Sequence, residues 1–170
     1  MKLLSLIYKR ILFALPEYHL FNNLKKRYFR NNKILNCNPK IFKIGMNLQI
    51  KGNVTFQGNY SINSNVSILS SKPYGIFFGK NILIGPNTVI RNVNHGISLG
   101  ENMISQQKSG GNISIGNDVW ISANCVILPN LKIFDGIVIG AGSVVTKDLN
   151  IENGIYAGIP AKFIKLRTKN

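Results

Sequence analysis

The stretch IGNDVWISANCVILPNLKIFDGIVIGAGSVVTKDLN, residues 115–150, decides the fold. Steps of six from its first residue meet Ile115, Ile121, Ile127, Ile133, Ile139 and Val145, and the next step reaches Ile151. The fourth place of each hexad reads Asp118, Asn124, Asn130, Gly136, Gly142 and Asp148. Asn, Asp and Gly are the residues that accept a left-handed backbone conformation most readily. An amphipathic helix repeats near 3.6 residues and a half-buried strand repeats at 2. A period of six with one turn-forming residue per repeat describes a chain that bends after each short strand and points one aliphatic side chain inward per side.

The same register extends upstream. Ile44, Ile50, Phe56, Ile62 and Ile68 precede a slip at SSKPYG (70–75), and Phe78, Ile84 and Ile90 follow it. A second slip spans NHGISLGENMISQQKSGG (94–111), where about two hexads' worth of chain leaves the register, and the count resumes at Ser109. Of sixteen hexads, fifteen begin with a large apolar residue, and fourteen carry Asn, Asp or Gly at the fourth place. The two exceptions, Ser71 and Val93, lie beside the slips. Three hexads close a triangular turn, and stacked turns bury the apolar row that no single repeat can bury alone. The expectation is an all-β chain: a parallel β-helix of hexapeptide repeats with about five coils over 41–157, with an N-terminal helical segment (1–40), an excursion loop (94–111) and a C-terminal tail (158–170). A β-sandwich also uses short β-branched runs, but it does not hold a six-residue register over seven consecutive repeats.

The 170 residues suit one domain. The 25 Ile and 23 Asn are the rows and corners of the coil. The 21 Lys and Arg face 6 Asp and Glu, a net charge of +15, which suits an anionic partner. Residues 1–40 carry nine basic residues and one acid; residues 41–170 carry twelve and five. Two cysteines, Cys37 and Cys125, make no disulfide scaffold, and a reducing compartment is the default. Lys9 and Arg10 interrupt the apolar run at the start of the chain. No stretch approaches the ~20 apolar residues of a membrane span. A cytoplasmic protein is expected, with contact at the inner membrane face as an option.

Hexads such as IGNDVW, ILPNLK and IGAGSV, followed by YAGIPAKFIK up to Lys165, carry a resemblance to a known family. From about 41 to 167 the chain resembles the left-handed β-helix CoA-dependent acyltransferases, in particular the galactoside, maltose and xenobiotic O-acetyltransferases. The resemblance implies a homotrimer with each active site between neighbouring subunits. It also implies acetyl-CoA as donor and the hydroxyl of a sugar as acceptor, in the assembly of a surface polysaccharide or lipopolysaccharide. No metal is implied. N-acetylation of a nucleotide-linked amino sugar, O-acetylation of an antibiotic and a non-catalytic scaffold stand as alternatives.

A protonated alcohol is a poor nucleophile and needs a base, which a neutral imidazole supplies near pH 7. His95, at the start of the excursion, matches the catalytic His of the family; His19 has no assigned role. The resemblance places the oxyanion donor at Ala123, where some relatives carry Ser, while Ser122 stands one place earlier. Ala141, Thr146 and Lys147 match positions along the pantetheine arm, and Lys162 and Lys165 match basic positions at the nucleotide phosphates. Trp120 either lines the thioester end or packs between coils. The acceptor-binding Asp and Asn side chains of the galactoside enzymes fall near NSNVSILSSKPYG (63–75), which holds no carboxylate. Asn65 and Asn94 are the polar side chains expected at the acceptor, and a different acceptor is implied.

At the N-terminus, Leu3, Leu4, Ile7, Tyr8, Ile11, Leu12 and Leu15 share one helical face, opposite Lys2, Lys9 and Arg10. HLFNNLKKRYFRNNK (19–33) follows as a basic cluster interleaved with aromatics. This segment is read either as a cap over the end of the coil or as a surface for an anionic membrane. A zinc hydratase of the same fold needs three His, and the coil holds only His95, which excludes it. A nucleic-acid partner is not expected, since no module signature accompanies the charge.

Overall fold

A computed structural model describes residues 12, 14, 19–31, 34 and 42–169. Cys37 and most of the 1–18 apolar face lie outside the described residues. Among the described residues a helix, α1 (His19–Asn31), precedes eighteen short strands. They follow a triangular path. Strands β1 (Phe42–Ile44), β2 (Gln49–Lys51) and β3 (Val54–Phe56) form three sides of the first coil. Strands β4 (Tyr60–Ile62), β5 (Ser67–Leu69) and β6 (Ile76–Phe78) lie above them in parallel register. The third coil uses β7 (Ile82–Ile84), β8 (Val89–Arg91) and β11 (Ile113–Ile115). The fourth uses β12 (Trp120–Ile121), β13 (Val126–Ile127) and β14 (Leu131–Ile133). The fifth is β15 (Val138–Ile139), β16 (Val144–Val145) and a bridge from Leu149 to Ile133. Above it, β17 (Gly154–Ala157) pairs in parallel with β15, and β18 (Lys162–Leu166) folds back antiparallel on β17. The faces are called here B (from β1), C (from β2) and A (from β3). The parallel β-helix of about five turns is the architecture that the hexads predict.

The inward row follows the predicted step as far as Val145. The next step, Ile151, is corrected, because the last turn is shorter, Leu149 takes the inward place beside Ile133, and Ile151 is exposed. Ile44, Ile62, Ile84, Ile121 and Ile139 stack on face B; Ile50, Ile68, Ile90, Ile127 and Val145 on face C; Phe56, Phe78, Ile115, Ile133 and Leu149 on face A. All are buried. Phe56 and Phe78 stack with ring centroids 4.3 Å apart and planes 5° from parallel. A second inward row, two residues earlier, escapes the hexad count. On face C it runs Leu48, Val66, Thr88, Cys125, Ser143, apolar at the lower coils and polar above. The polar members find partners inside: Thr88 Oγ1 donates to Ser122 O (3.0 Å), and Cys125 Sγ and Ser143 Oγ donate to Gly140 O (3.3 and 2.6 Å). Burial pushes the Cys125 thiol pKa up.

The corners carry the expected left-handed residues at Asn47, Asn65, Asn81, Asn87, Asp118, Asn124, Asn130, Gly136 and Gly142. Asn53, Asn59, Asn112, Asp148 and Gly154 depart from that expectation; at two of these corners the positive φ falls one residue earlier, on Gly52 and Asn153. The others serve through their side chains: Asn59 Nδ2 donates to Asn81 Oδ1 (3.0 Å), Asn112 Oδ1 accepts from Gly75 N (2.8 Å), and Asp148 Oδ1 from Lys132 N (2.7 Å).

A coil takes eighteen residues where nothing is inserted, as from Phe42 to Tyr60 and from Trp120 to Val138, and the last one is shorter, seventeen from Val138 to Ile155 and sixteen from Ile133 to Leu149. Tyr60 pairs with Ile82, four residues beyond that spacing, which is the 70–75 insertion. Leu83 pairs with Trp120, thirty-seven residues on, so the excursion withdraws a full coil's length of chain rather than two hexads. The Ser109 hexad is corrected accordingly. Ser109 is exposed in β10 (Ser109–Gly110), which pairs antiparallel with β9 (Val93–Asn94), and the coil resumes at Ile113.

At the lower end α1 lies against β1. Phe29 is fully buried over Tyr60 (centroids 6.0 Å), and Phe56 N donates to Ile34 O (2.9 Å). Lys25, also buried, donates through Nζ to the carbonyls of Ile44 (3.0 Å) and Gly45 (3.3 Å) at the open edge of β1. Its ammonium satisfies acceptors that a further coil would otherwise take. No described helix is long and apolar enough to cross a membrane.

Candidate active site

The excursion leaves the coil at the corner between faces C and A, and that corner holds the chemistry. Asn92, fully buried, accepts from Ser71 N through Oδ1 (2.9 Å) and donates through Nδ2 to Ser70 Oγ (2.8 Å). It thereby ties the 70–75 insertion to the base of the excursion. Beyond it β9 and β10 form a two-strand stalk, and the tip is closed by Gln106, which bonds both the N–H and the C=O of Ser98 (2.8 Å each) and the Glu101 carbonyl (2.9 Å). His95 directly follows the stalk strand and is exposed.

His95 opens into a cavity of about 120 Å³ that Leu69, Ser71, Arg91, Val93, Asn94 and Lys108 complete. Asn94 also borders a second cavity of about 310 Å³, shared with Ser109, Gly110, Leu128, Pro129, Asn130 and Thr146. Asn130 and Thr146 in turn border a third, of about 660 Å³, whose walls include Lys147, Tyr156, Ala161, Lys162 and Phe163. Shared walls link the three into one groove, Asn94 between the first two and Asn130 with Thr146 between the last two, running from the C–A corner to the top of the coil under β18. It brings together His95, Asn94, Thr146, Lys147 and Lys162 of the residues anticipated from sequence. An imidazole base stands towards one end and two ammonium groups at the other. The carboxylate of Asp148 also borders the third cavity, and its Oδ1 is occupied by the Lys132 N–H.

Within one chain, the remaining candidates lie elsewhere. Trp120 points outward from face B in a row with Leu83, Val138 and Ile155, and Lys165 pairs opposite Ile155 at the top of that row. Trp120 and Leu83 are about half exposed (48% and 50%). Ala123 and Ala141 sit at the B–C corner of the fourth and fifth coils, linked by the bond from Gly142 N to Ala123 O (2.9 Å). Ser122 N donates to Ile139 O and Asn124 N to Pro86 O (2.9 Å each), while the Ala123 N–H between them has no described partner. Gly85 lies directly below: a Cβ there would fall 2.5 Å from Ala123 N. Asn65 occupies the same corner lower down, accepting from Asn47 Nδ2 and donating to Asn87 Oδ1 (3.1 Å each).

The anticipated residues therefore divide between the C–A corner on one side and face B with its B–C corner on the other. Arg91 and Lys108 were not anticipated. Arg91 ends β8 four residues before His95 at the same corner, and that spacing was the available signal. Among the described residues no group of three or more His, Cys, Asp or Glu is placed to hold a metal ion.

Comparison with known proteins places this geometry among relatives. The family described as "Bacterial transferase hexapeptide (six repeats)" matches residues 112–147. WbbJ of Escherichia coli (strain K12), assigned by name to lipopolysaccharide biosynthesis O-acetyl transfer, is 31% identical over 150 residues, covering 81% of this chain and 74% of WbbJ. Galactoside O-acetyltransferase of the same organism is 35% identical over 127 residues; the match covers 75% of this chain but spans 58% of that enzyme's length. Among solved structures, a maltose O-acetyltransferase from Clostridium difficile 630 superposes with a TM-score of 0.77 at 28% identity, covering 94% of this chain and 82% of the other.

Proposed function

Because this chain belongs to the bacterial hexapeptide transferase family and is an acetyltransferase of it, we propose that it moves the acetyl group of acetyl-CoA to a hydroxyl of a sugar, with His95 as the base. The observation that carries this reading is the groove that joins His95 and Asn94 to Thr146, Lys147 and Lys162. Lys147 and Lys162 suit CoA phosphates as point charges, without the bidentate fork of an arginine.

In the proposed reaction His95 removes the acceptor hydroxyl proton, and the alkoxide oxygen attacks the thioester carbonyl. The negative charge on the tetrahedral intermediate is met by the Ala123 N–H, whose freedom from described partners suits an oxyanion donor. Collapse breaks the C–S bond, and the imidazolium returns its proton to the CoA thiolate. Proton and charge balance without a metal.

Within one chain Ala123 and His95 stand at different corners, so this chemistry requires a second copy. The C–A corner of one subunit faces the B–C corner of the next in the proposed homotrimer, where Trp120, Ala123, Ala141, Lys165 and Asn65 complete the site. The names of WbbJ and of the galactoside enzyme support a saccharide acceptor in surface polysaccharide or lipopolysaccharide assembly. The burial of Lys25 and Phe29 supports a capping role for the N-terminal segment, with Arg27 and Arg30 left exposed on α1 as a basic face towards an anionic membrane.

The test is thiol release from acetyl-CoA with a panel of sugars. His95→Ala should lower turnover by at least ~10²-fold, as loss of a general base does. Undiminished turnover would overturn the role of His95.

A further inference from the structure

The groove is cationic on both sides of His95, and only one side has a partner assigned above. Lys147 and Lys162 lie at the far end, towards the proposed donor phosphates. On the near side, Arg91 reaches the His95 cavity from the end of β8, and Lys108 reaches it from the returning arm before β10. Neither side chain has a hydrogen bond or ion pair with any described residue; among those residues the one ion pair is Arg167 with Asp118. No carboxylate lines this cavity. The absence reaches further: from residue 18 to residue 100 the chain carries eleven Lys and Arg and no Asp or Glu. The lower coils thus offer nothing to neutralise the two cations from within the subunit.

The cations are also set on a fixed frame. Asn92 pins Ser71 and the insertion to the base of β9, and the β9–β10 pairing sets Lys108 beside the stalk. Two unpaired cations converging on a small cavity beside a base, with Ser71 also in its lining, recognise an anionic oxygen cluster rather than a neutral ring.

We propose that the acceptor itself is anionic: a sugar bearing a carboxylate or a phosphate, held by Arg91 and Lys108 so that a neighbouring hydroxyl meets His95. This inference rests on the acetyl-transfer reading and names its acceptor class. The base then stands between two anionic substrates, the donor anchored by one pair of cations and the acceptor by the other.

Calorimetric titration of the CoA-bound protein with three probes tests this: methyl glucoside, methyl glucuronide and glucose 1-phosphate. At low salt at least one charged probe should bind about tenfold or more tightly than the neutral one. Whichever of the two shows the larger gap identifies carboxylate or phosphate as the natural anion. Replacing both cations, Arg91→Gln with Lys108→Gln, should shrink the gap below about threefold and leave CoA affinity unchanged, and added salt should narrow it in the unmodified protein. Equal binding of the three probes, binding of none, or a loss that falls on CoA instead would overturn the inference. Failure of the underlying reading looks different: thiol release would persist in His95→Ala, whatever the binding gap.

Discussion

Asn59 and Asn81 share one hydrogen bond, 3.0 Å from Nδ2 to Oδ1, but not one backbone conformation. Asn81 has a φ of 59°, and Asn59 lies outside the left-handed region. Replacing either by Ala or by Gly removes the same bond, so comparing Ala with Gly at each position isolates the backbone. At Asn59 glycine carries only its entropic cost, and Asn59→Gly should be less stable than Asn59→Ala by roughly 0.5–1 kcal/mol. At Asn81 an alanine must occupy the left-handed region, which costs roughly 1–2 kcal/mol for an L-residue. That outweighs the glycine entropy, so Asn81→Gly should be the more stable of its pair. The two Gly-minus-Ala differences should thus have opposite sign and stand about 1–2 kcal/mol apart, or about 2–8 °C in melting temperature for a chain of this size. Thermal unfolding followed by circular dichroism reads the order directly. The same order at both positions would refute the claim that these corners select Asn for its backbone.

Two further outcomes follow from the same structure. Phe78→Ala removes half of the stacked ring pair inside the coil and should cost about 3–5 kcal/mol, while Phe77→Ala, on the outward side of the same strand, should cost far less in urea unfolding. The Asp135 carboxyl is held below its usual pKa by the Asn117 side-chain amide and then the Asn117 N–H, so its stabilisation is present at neutral pH and lost as pH falls through that lowered value. At this exposed site Asp135→Ala should cost about 0.5–1 kcal/mol at pH 7, and the difference in melting temperature from the unmodified protein should close below the carboxylate range.

How much of this was readable from residues alone depends on what each feature leaves in the sequence. The row Ile121, Ile127, Ile133, Ile139 is legible because an eighteen-residue coil repeats one side chain in one environment. The second inward row is not, because Thr88, Cys125 and Ser143 satisfy their polar atoms against interior carbonyls and so break the apolar pattern. Ser109 does not open a hexad, although the count resumes there, because its strand pairs within the excursion, with β9 as partner, and hairpin pairing has no six-residue signature. His95 stands out in the sequence by its place at a break in the repeat together with the family resemblance, and its role as base is proposed. Arg91 was not, since one basic residue at a strand end looks like any solvated charge until the cavity around it is known. The division of Trp120, Ala123 and Ala141 from His95 is likewise invisible in a linear sequence, which does not say which subunit a neighbour belongs to.

The central claim is that the site forms between two copies, with His95 supplied by one and the B–C corner by the other. It is tested by mixing two inactive variants, His95→Ala and Ala141→Trp, unfolding and refolding them together, and measuring acetyl transfer. In randomly mixed trimers about one quarter of the sites pair an intact His95 with an intact Ala141 corner, so activity should return to about a quarter of that of the unmodified protein. Mixtures that stay as inactive as either variant alone would contradict the account.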